Sequence, residues 1–257
     1  MTDATHALIQ HTSDARGVHQ ICLNRPDAFN ALSRELMTAL QQSLDAVAQD
    51  PQARVVVVSA QGKAFCAGHD LREMRASPSL AYYQALFKQC SRMMMSVQRL
   101  PVPVIAVVNG IATAAGCQLV AMCDLAVSSH ASKFAVSGVN LGLFCSTPSV
   151  ALSRNMSRKA AFEMLVTGDF ITAEQALVKG LVNAVVAPEA LDAAVQRYVD
   201  SILAKPRTAI AMGKKLFYEQ LEQPLEEAYA NAEHTMACNM MDDTALEGVQ
   251  AFIEKRN

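Results

Sequence analysis

Apolar positions along the chain change their period several times, and each change predicts an element. Residues 7–11 and 18–23 alternate or run apolar at strand length, and the polar stretch between them predicts a hairpin. Asn24-Arg25-Pro26-Asp27 breaks that pattern. Leu32, Leu36, Met37, Leu40, Leu44 and Val47 then mark one face of a helix with Ser33 as its N-cap, running to about Gln49. Residues 54–60 read as a buried strand, residues 79–99 as a long amphipathic helix, and residues 102–108 as the next apolar strand. An apolar helix is expected through Met122, and a strand over 124–128. Residues 134–143 carry Gly138 and Gly142 as loop signals, and Cys145-Ser146-Thr147-Pro148 opens a helix toward Arg154.

From Ser157 onward the pattern is almost wholly helical, over 158–166, 172–179, 188–203, 207–220, 225–240 and 243–255. Only residues 181–186 read as a strand. Thr172-Ala173-Glu174-Gln175 is a well-formed helix start, and Leu191, Val195, Val199 and Leu203 form a stripe at four-residue spacing. The order of elements predicts an α/β core over residues 1–200 and a helical region over 201–257, with Lys205-Pro206-Arg207 a plausible boundary.

Composition narrows the function classes. A chain of 257 residues can bury one sizeable core. With 51% apolar and 18% charged residues and a net charge of −2, it has neither a disordered tail nor a polyanion-binding surface, so no nucleic-acid partner is expected. Its apolar runs are far shorter than a membrane span, so no membrane partner is expected either. Residues 1–6 carry no basic and apolar signal segment, which predicts a cytosolic protein. Seven cysteines without a Cys-x-x-Cys pair predict reduced, mostly buried thiols and no disulfides. The six histidines are scattered, so no metal site is expected.

The chemistry concentrates at two junctions. Phe65-Cys66-Ala67-Gly68-His69-Asp70-Leu71 follows a strand and a Gln61-Gly62-Lys63 turn and precedes a helical pattern. Asp70 and Glu73 have the spacing of a capping box, which would fix that helix start and the amides before it. Those seven residues alone also fit an ordinary capped loop. Asn109 to Gln118 is a second strand-to-helix junction rich in small residues, where backbone can approach a ligand closely. No Gly-x-Gly-x-x-Gly, Walker loop or Gly-x-Ser-x-Gly elbow is present, which removes the usual support for dinucleotide, triphosphate and lipase readings. Two convergent amides suit a thioester oxygen that becomes an enolate or tetrahedral oxyanion.

The seven residues at 65–71, with 103–110 and Ala115-Gly116-Cys117-Gln118-Leu119, resemble the crotonase (enoyl-CoA hydratase/isomerase) superfamily. So do Leu23-Asn24-Arg25-Pro26, Asn30-Ala31-Leu32, Cys123-Asp124-Leu125-Ala126 and Leu165-Val166-Thr167-Gly168. The combination of Ala-Gly-His-Asp-Leu with Ala-Ala-Gly-Cys-Gln looks closest to one subgroup of it. The resemblance implies a spiral of ββα units, shared with the Clp peptidases, and a C-terminal helical region that trimerises, usually into a dimer of trimers. It implies an acyl-CoA thioester as ligand, with coenzyme A part of the substrate and no separate cofactor. By matching positions, Ala67 and Ala115 would give the oxyanion-hole amides. Gly68, His69, Asp70, Leu71 and Asn140 would lie along the acyl group, and Arg25, with Phe252 and Lys255 from a neighbouring subunit's tail, would meet the nucleotide.

Hydratases of that superfamily use two glutamates, and here those positions read Gln118 and Gly138. A glutamine amide orients water but takes no proton, and glycine does neither; loss of each such group removes about 10² to 10⁴ in rate. Hydration is therefore not the expected reaction. Decarboxylation, thioester hydrolysis and non-catalytic acyl-CoA binding remain open.

Overall fold

The computed structural model describes residues 7–255. The hairpin forms as β1 (Ile9–Ser13) and β2 (Val18–Leu23), antiparallel and in register from Ile9 opposite Leu23 to Ser13 opposite His19. Ser33 caps α1 (Arg34–Gln49) by accepting the Leu36 N–H, and the apolar face from Leu36 to Val47 is buried. Beyond α1 the chain makes one unit three times. The first is β3 (Val55–Ala60) and β4 (Ala64–Cys66), followed by α2 (Leu71–Ala76) and α3 (Leu80–Arg99). The second is β5 (Val104–Val108), β6 (Ile111–Thr113) and α4 (Ala115–Met122). The third is β7 (Leu125–Ser129), β8 (Lys133–Ala135) and α5 (Ser146–Asn155).

Each turn of the chain gives its longer strand to one sheet and its shorter strand to another. The larger sheet has the order β1-β2-β3-β5-β7 and is closed by β10 (Ala184–Val186). The smaller has the order β4-β6-β8 and ends on β9 (Ile171–Thr172). From β2 to β10 in the larger sheet, and from β4 to β8 in the smaller, neighbours run parallel. This is the expected spiral of ββα units. Parallel strands between helices are buried on both faces, which is why β3 is an unbroken run of valines rather than an alternation.

Differences from the expected elements have local causes. Pro101 and Pro103 delay β5 until Val104, since neither can donate to a ladder. The loop expected over 134–143 contains β8 and a 3-10 turn, Ser137–Leu141. The chain continues through α6 (Arg158–Thr167), α7 (Ala173–Val178) and α8 (Leu191–Leu203), and the Thr172–Gln175 capping box is fully formed. α8 lays its buried stripe against the larger sheet and runs unbroken through residue 200 to Leu203. The tail is α9 (Arg207–Gln220), α10 (Leu225–Met240) and α11 (Asp243–Ile253). Five cysteines are buried, Cys22 is partly buried and Cys238 is exposed. Among the described residues no helix is long and apolar enough to cross a membrane.

Candidate active site

The two junctions meet. Gly116, at the start of α4, packs so tightly on β4 that a methyl group there would overlap the Cys66 carbonyl oxygen. Gly68 takes φ +91°, and a methyl group on it would lie 2.9 Å from Ala114 Cβ and 3.3 Å from the Ala115 nitrogen. Only glycine accepts both that backbone and that contact. Ala114 itself has φ +50°, a strained conformation for a residue with a side chain, and it turns β6 abruptly into α4. Ala115 then opens the helix. Its amide has no carbonyl a turn earlier to bond, and Ala114 offers no capping side chain, so the N–H is left for a ligand.

The partner amide is not that of Ala67. The Ala67 N–H donates to Phe29 O at 3.0 Å, because Phe29 and Asn30 take left-handed backbone and turn that carbonyl inward. Asn30 holds the turn, accepting from Arg25 N and donating to Gln61 O and Ala64 O, each at 2.8 Å. Two residues later the geometry reverses. Leu32 N donates to Gly68 O at 2.7 Å and Asp70 N donates to Leu32 O at 3.3 Å, so His69 forms a parallel bridge whose own amide faces the other way. No hydrogen bond among the described residues engages the His69 N–H. The N–H left unengaged at this junction is thus that of His69, whereas the Ala67 N–H assigned as a donor from the resemblance is taken up by Phe29 O. That assignment came from matching motif positions, whereas strand alternation decides which N–H is free.

His69 and Ala115 line one pocket of about 260 Å³. Ala67, Leu71, Met74 and Phe87 wall one side, and Ser137, Gly138, Leu143, Phe144 and Cys145 the other. No carboxylate lines it among the described residues. The His69 ring meets Phe87 edge to face, with centroids 5.4 Å apart, and the Leu32 backbone is the polar group that reaches the buried ring. Burial lowers the His69 pKa, while the nearby Leu32 carbonyl and the Glu73 charge oppose that shift without cancelling it.

The two positions expected to hold glutamates behave differently. Gln118 lies one turn beyond Ala115 in α4, is buried, and its Oε1 has no partner among the described residues. Gly138 has no room for a side chain: a methyl group there would sit 2.5 Å from Leu143 O and 2.8 Å from Cys145 Sγ. Burial raises the Cys145 pKa and a hydrogen bond from the Gly138 amide offsets this only in part, so the thiol stays protonated at neutral pH.

Asp70 supports the site from behind. It caps α2 through the Arg72 and Glu73 amides and pairs with Arg25 at 2.8 Å. Burial opposes its ionisation, but the Arg25 hydrogen bond and those of the Glu73 and Arg72 amides outweigh it and hold its carboxyl below the usual value. The capping box is only half made, since Glu73 turns away to accept the Arg34 N–H of α1. Arg25 also donates to Ala31 O, so it serves the loop, and its assignment to the nucleotide finds no support here. Asn140 likewise bonds Gly168 O at 3.4 Å and does not line the pocket, contrary to its expected place along the acyl group. Phe252 and Lys255 are exposed on the tail and do not line this pocket within one chain.

Comparison with known proteins agrees with this architecture. The enoyl-CoA hydratase/isomerase family profile matches residues 13–257. A Xenopus laevis protein named enoyl-CoA hydratase domain-containing protein 3, mitochondrial, is 45% identical over 96% of this chain and 86% of its own. The solved enoyl-CoA hydratase of Mycobacterium smegmatis is 62% identical over 98% of both chains, with a TM-score of 0.97. Human enoyl Coenzyme A hydratase domain-containing protein 3 is 42% identical over 98% of this chain and 99% of its own, with a TM-score of 0.93. The Xenopus and human names belong to the subgroup that the Ala-Gly-His-Asp-Leu combination resembles. Such curated relatives are named as mitochondrial, which overturns the cytosolic expectation. That expectation rested on a missing signal in residues 1–6, which lie outside the described residues, and six residues cannot fix a compartment. Fold, paired amides and sequence agree: the chain belongs to the enoyl-CoA hydratase/isomerase family.

Proposed function

We propose that this chain processes acyl-CoA thioesters by holding the thioester oxygen between the amides of His69 and Ala115. The observation that carries the reading is the contact of the two junctions at Gly68, which brings two unengaged N–H groups to one apolar pocket. Such donors stabilise charge that develops on the thioester oxygen, and they act without reorganising. The acyl chain lies between Phe87 and Met74 on one side and Leu143 and Phe144 on the other. Coenzyme A enters as part of the substrate, with no separate cofactor.

Acetoacetyl-CoA tests this directly, because an oxyanion hole favours its enolate. Addition of the protein is expected to raise the enolate absorbance at fixed pH, with saturation. If calorimetry finds no affinity for acetoacetyl-CoA or hexanoyl-CoA, the reading fails. The lack of a pocket carboxylate favours a second reading, a non-catalytic acyl-CoA binder, in which binding saturates but no bond of the thioester changes. We assign α9 to α11 to assembly as a trimer or a dimer of trimers; Tyr229, Met236, Phe252 and Ile253 leave their apolar faces exposed.

A further inference from the structure

We propose that His11, His19 and Asp50 form a proton-operated latch, which fastens the edge strand β1 to β2 and to the end of α1 and opens when both imidazoles are protonated. None of the three lines the pocket, so the latch stands independently of the oxyanion-hole reading.

β1 is the outermost strand of the larger sheet and pairs with β2 alone. From it His11 meets His19 of β2, with His11 Nε2 3.0 Å from His19 Nδ1 and the ring centroids 5.3 Å apart. His19 is buried, and its other nitrogen, Nε2, lies 3.0 Å from Asp50 Oδ2. Asp50 stands just past the last turn of α1, where its N–H donates to Val47 O and its Oδ1 accepts the Gln52 N–H at 2.8 Å. One file of hydrogen bonds thus joins edge strand, neighbouring strand and helix end. A carboxylate only accepts, so His19 Nε2 carries a proton. In a neutral His19 the Nδ1 atom then accepts, and His11 Nε2 must be the donor.

The file accommodates one further proton. An imidazolium at His19 donates from both nitrogens, to Asp50 and to a His11 whose own proton has moved to Nδ1. A second proton on the pair sets two N–H groups against each other at 3.0 Å and places two positive rings beside one carboxylate. Burial first, and then the His19 charge, hold the His11 pKa below its ordinary 6.5, and a released β1 is free of both. The open form therefore takes up a proton that the latched form refuses. Latching is complete above about pH 6.5 and is lost as the pH falls toward the lower latched value. Charges on the packed elements are engaged elsewhere: Asp14 of the hairpin turn with Arg16, Arg16 with Asp200 of α8, and Asp45 of α1 with Gln41. Arg34 and Glu35 lie at the far end of α1, and Cys22 of β2 belongs to the opposite face of the strand. Among the described residues Asp50 alone brings a carboxylate to either ring.

Amide hydrogen exchange at pH 7.5 and pH 5.5, corrected for the intrinsic rate at each pH, tests this by comparing residues 9–13 of β1 with residues 104–108 of β5. In the native protein the protection of β1 relative to β5 is expected to fall about two- to tenfold between those values, the upper bound being set by an open ring of ordinary pKa. NMR of the native His11 ring should find it titrating below 6.5. In His11→Gln, whose side-chain N–H still donates to His19 but takes up no proton, relative protection should stay constant. A native protein whose relative protection is the same at both pH values overturns the latch, and so does a His11 ring that titrates at 6.5 or above. A His11→Gln variant that loses protection as steeply as the native protein does the same. Should that variant fail to fold, the exchange and NMR measurements on the native protein decide by themselves.

Discussion

At the scale of single residues, His69 makes stability depend on pH. Its folded pKa lies below the ordinary 6.5, so between those two values the unfolded chain binds more protons than the folded one. Its contribution is complete above about pH 6.5 and is lost as the pH falls toward the folded value. The charged or titratable groups around it are Glu73 on α2, the Arg25–Asp70 pair, Tyr83 stacked on Phe87 from α3, and Cys145 across the pocket. Melting temperature should therefore drop between pH 7 and pH 5 by less in His69→Phe than in the native protein. Equal slopes would mean that the ring is not buried and neutral as described. Gly138 yields a steric prediction of the opposite kind. Restoring a glutamate there should not restore hydration, because its side chain meets Leu143 O and Cys145 Sγ. Gly138→Glu is expected to cost about 1–3 kcal/mol by overpacking, read from urea unfolding. A variant of native stability that hydrates crotonyl-CoA would show that the loop opens.

At the scale of elements, α2 depends on Asp70 for its start and on Arg25 for its anchorage, and the two contributions separate by mutation. Asp70→Ala removes both the cap and the ion pair, with about 0.5–2 kcal/mol lost from the cap alone. Arg25→Ala leaves the cap in place. Both should weaken the acetoacetyl-CoA enolate signal, since Asp70 N and Gly68 O are the bonds that hold His69 against Leu32. Urea melts rank the two variants: equal destabilisation would deny the cap its role. The Asp70 contribution is present above pH 3.8 and is lost as the pH falls through its lower folded value. Here too the limits of reading a sequence are physical. Strands of five or six apolar residues and Ser-capped helices were legible because each signal lies within one element. The smaller sheet was not, since β4, β6, β8 and β9 are two or three residues long and no periodicity fits in three. The junction at 65–71 was legible as a site, but the choice of His69 over Ala67 depends on Phe29 O and Leu32, more than thirty residues away in the chain.

At the scale of the whole molecule, one buried contact ties tail to core. Lys214 of α9 reaches under the sheet, donating to Val102 O at 2.9 Å, to Val97 O at 3.3 Å and to Asp124 Oδ2 at 2.7 Å. Asp124 also accepts from Tyr218 Oη at 2.8 Å and from the Val104 N–H at 2.6 Å, which fixes the first residue of β5. Burial lowers the Lys214 pKa and the Asp124 charge opposes this, so the pair stands only because each partner is present. Removing one charge strands the other. Lys214→Ala should cost about 3–5 kcal/mol, whereas Lys214→Met combined with Asp124→Asn, which keeps an acceptor for Val104 and fills the space, should recover most of the loss. Because Lys214 does not line the pocket, hexanoyl-CoA affinity per folded chain should stay native in both variants. Sedimentation then joins stability to assembly. If α9 to α11 form the contact between subunits, the single variant dissociates at concentrations where the double variant stays associated. A native chain that sediments as a monomer, with its tail docked, would remove the assembly role and leave Lys214 a purely intramolecular anchor.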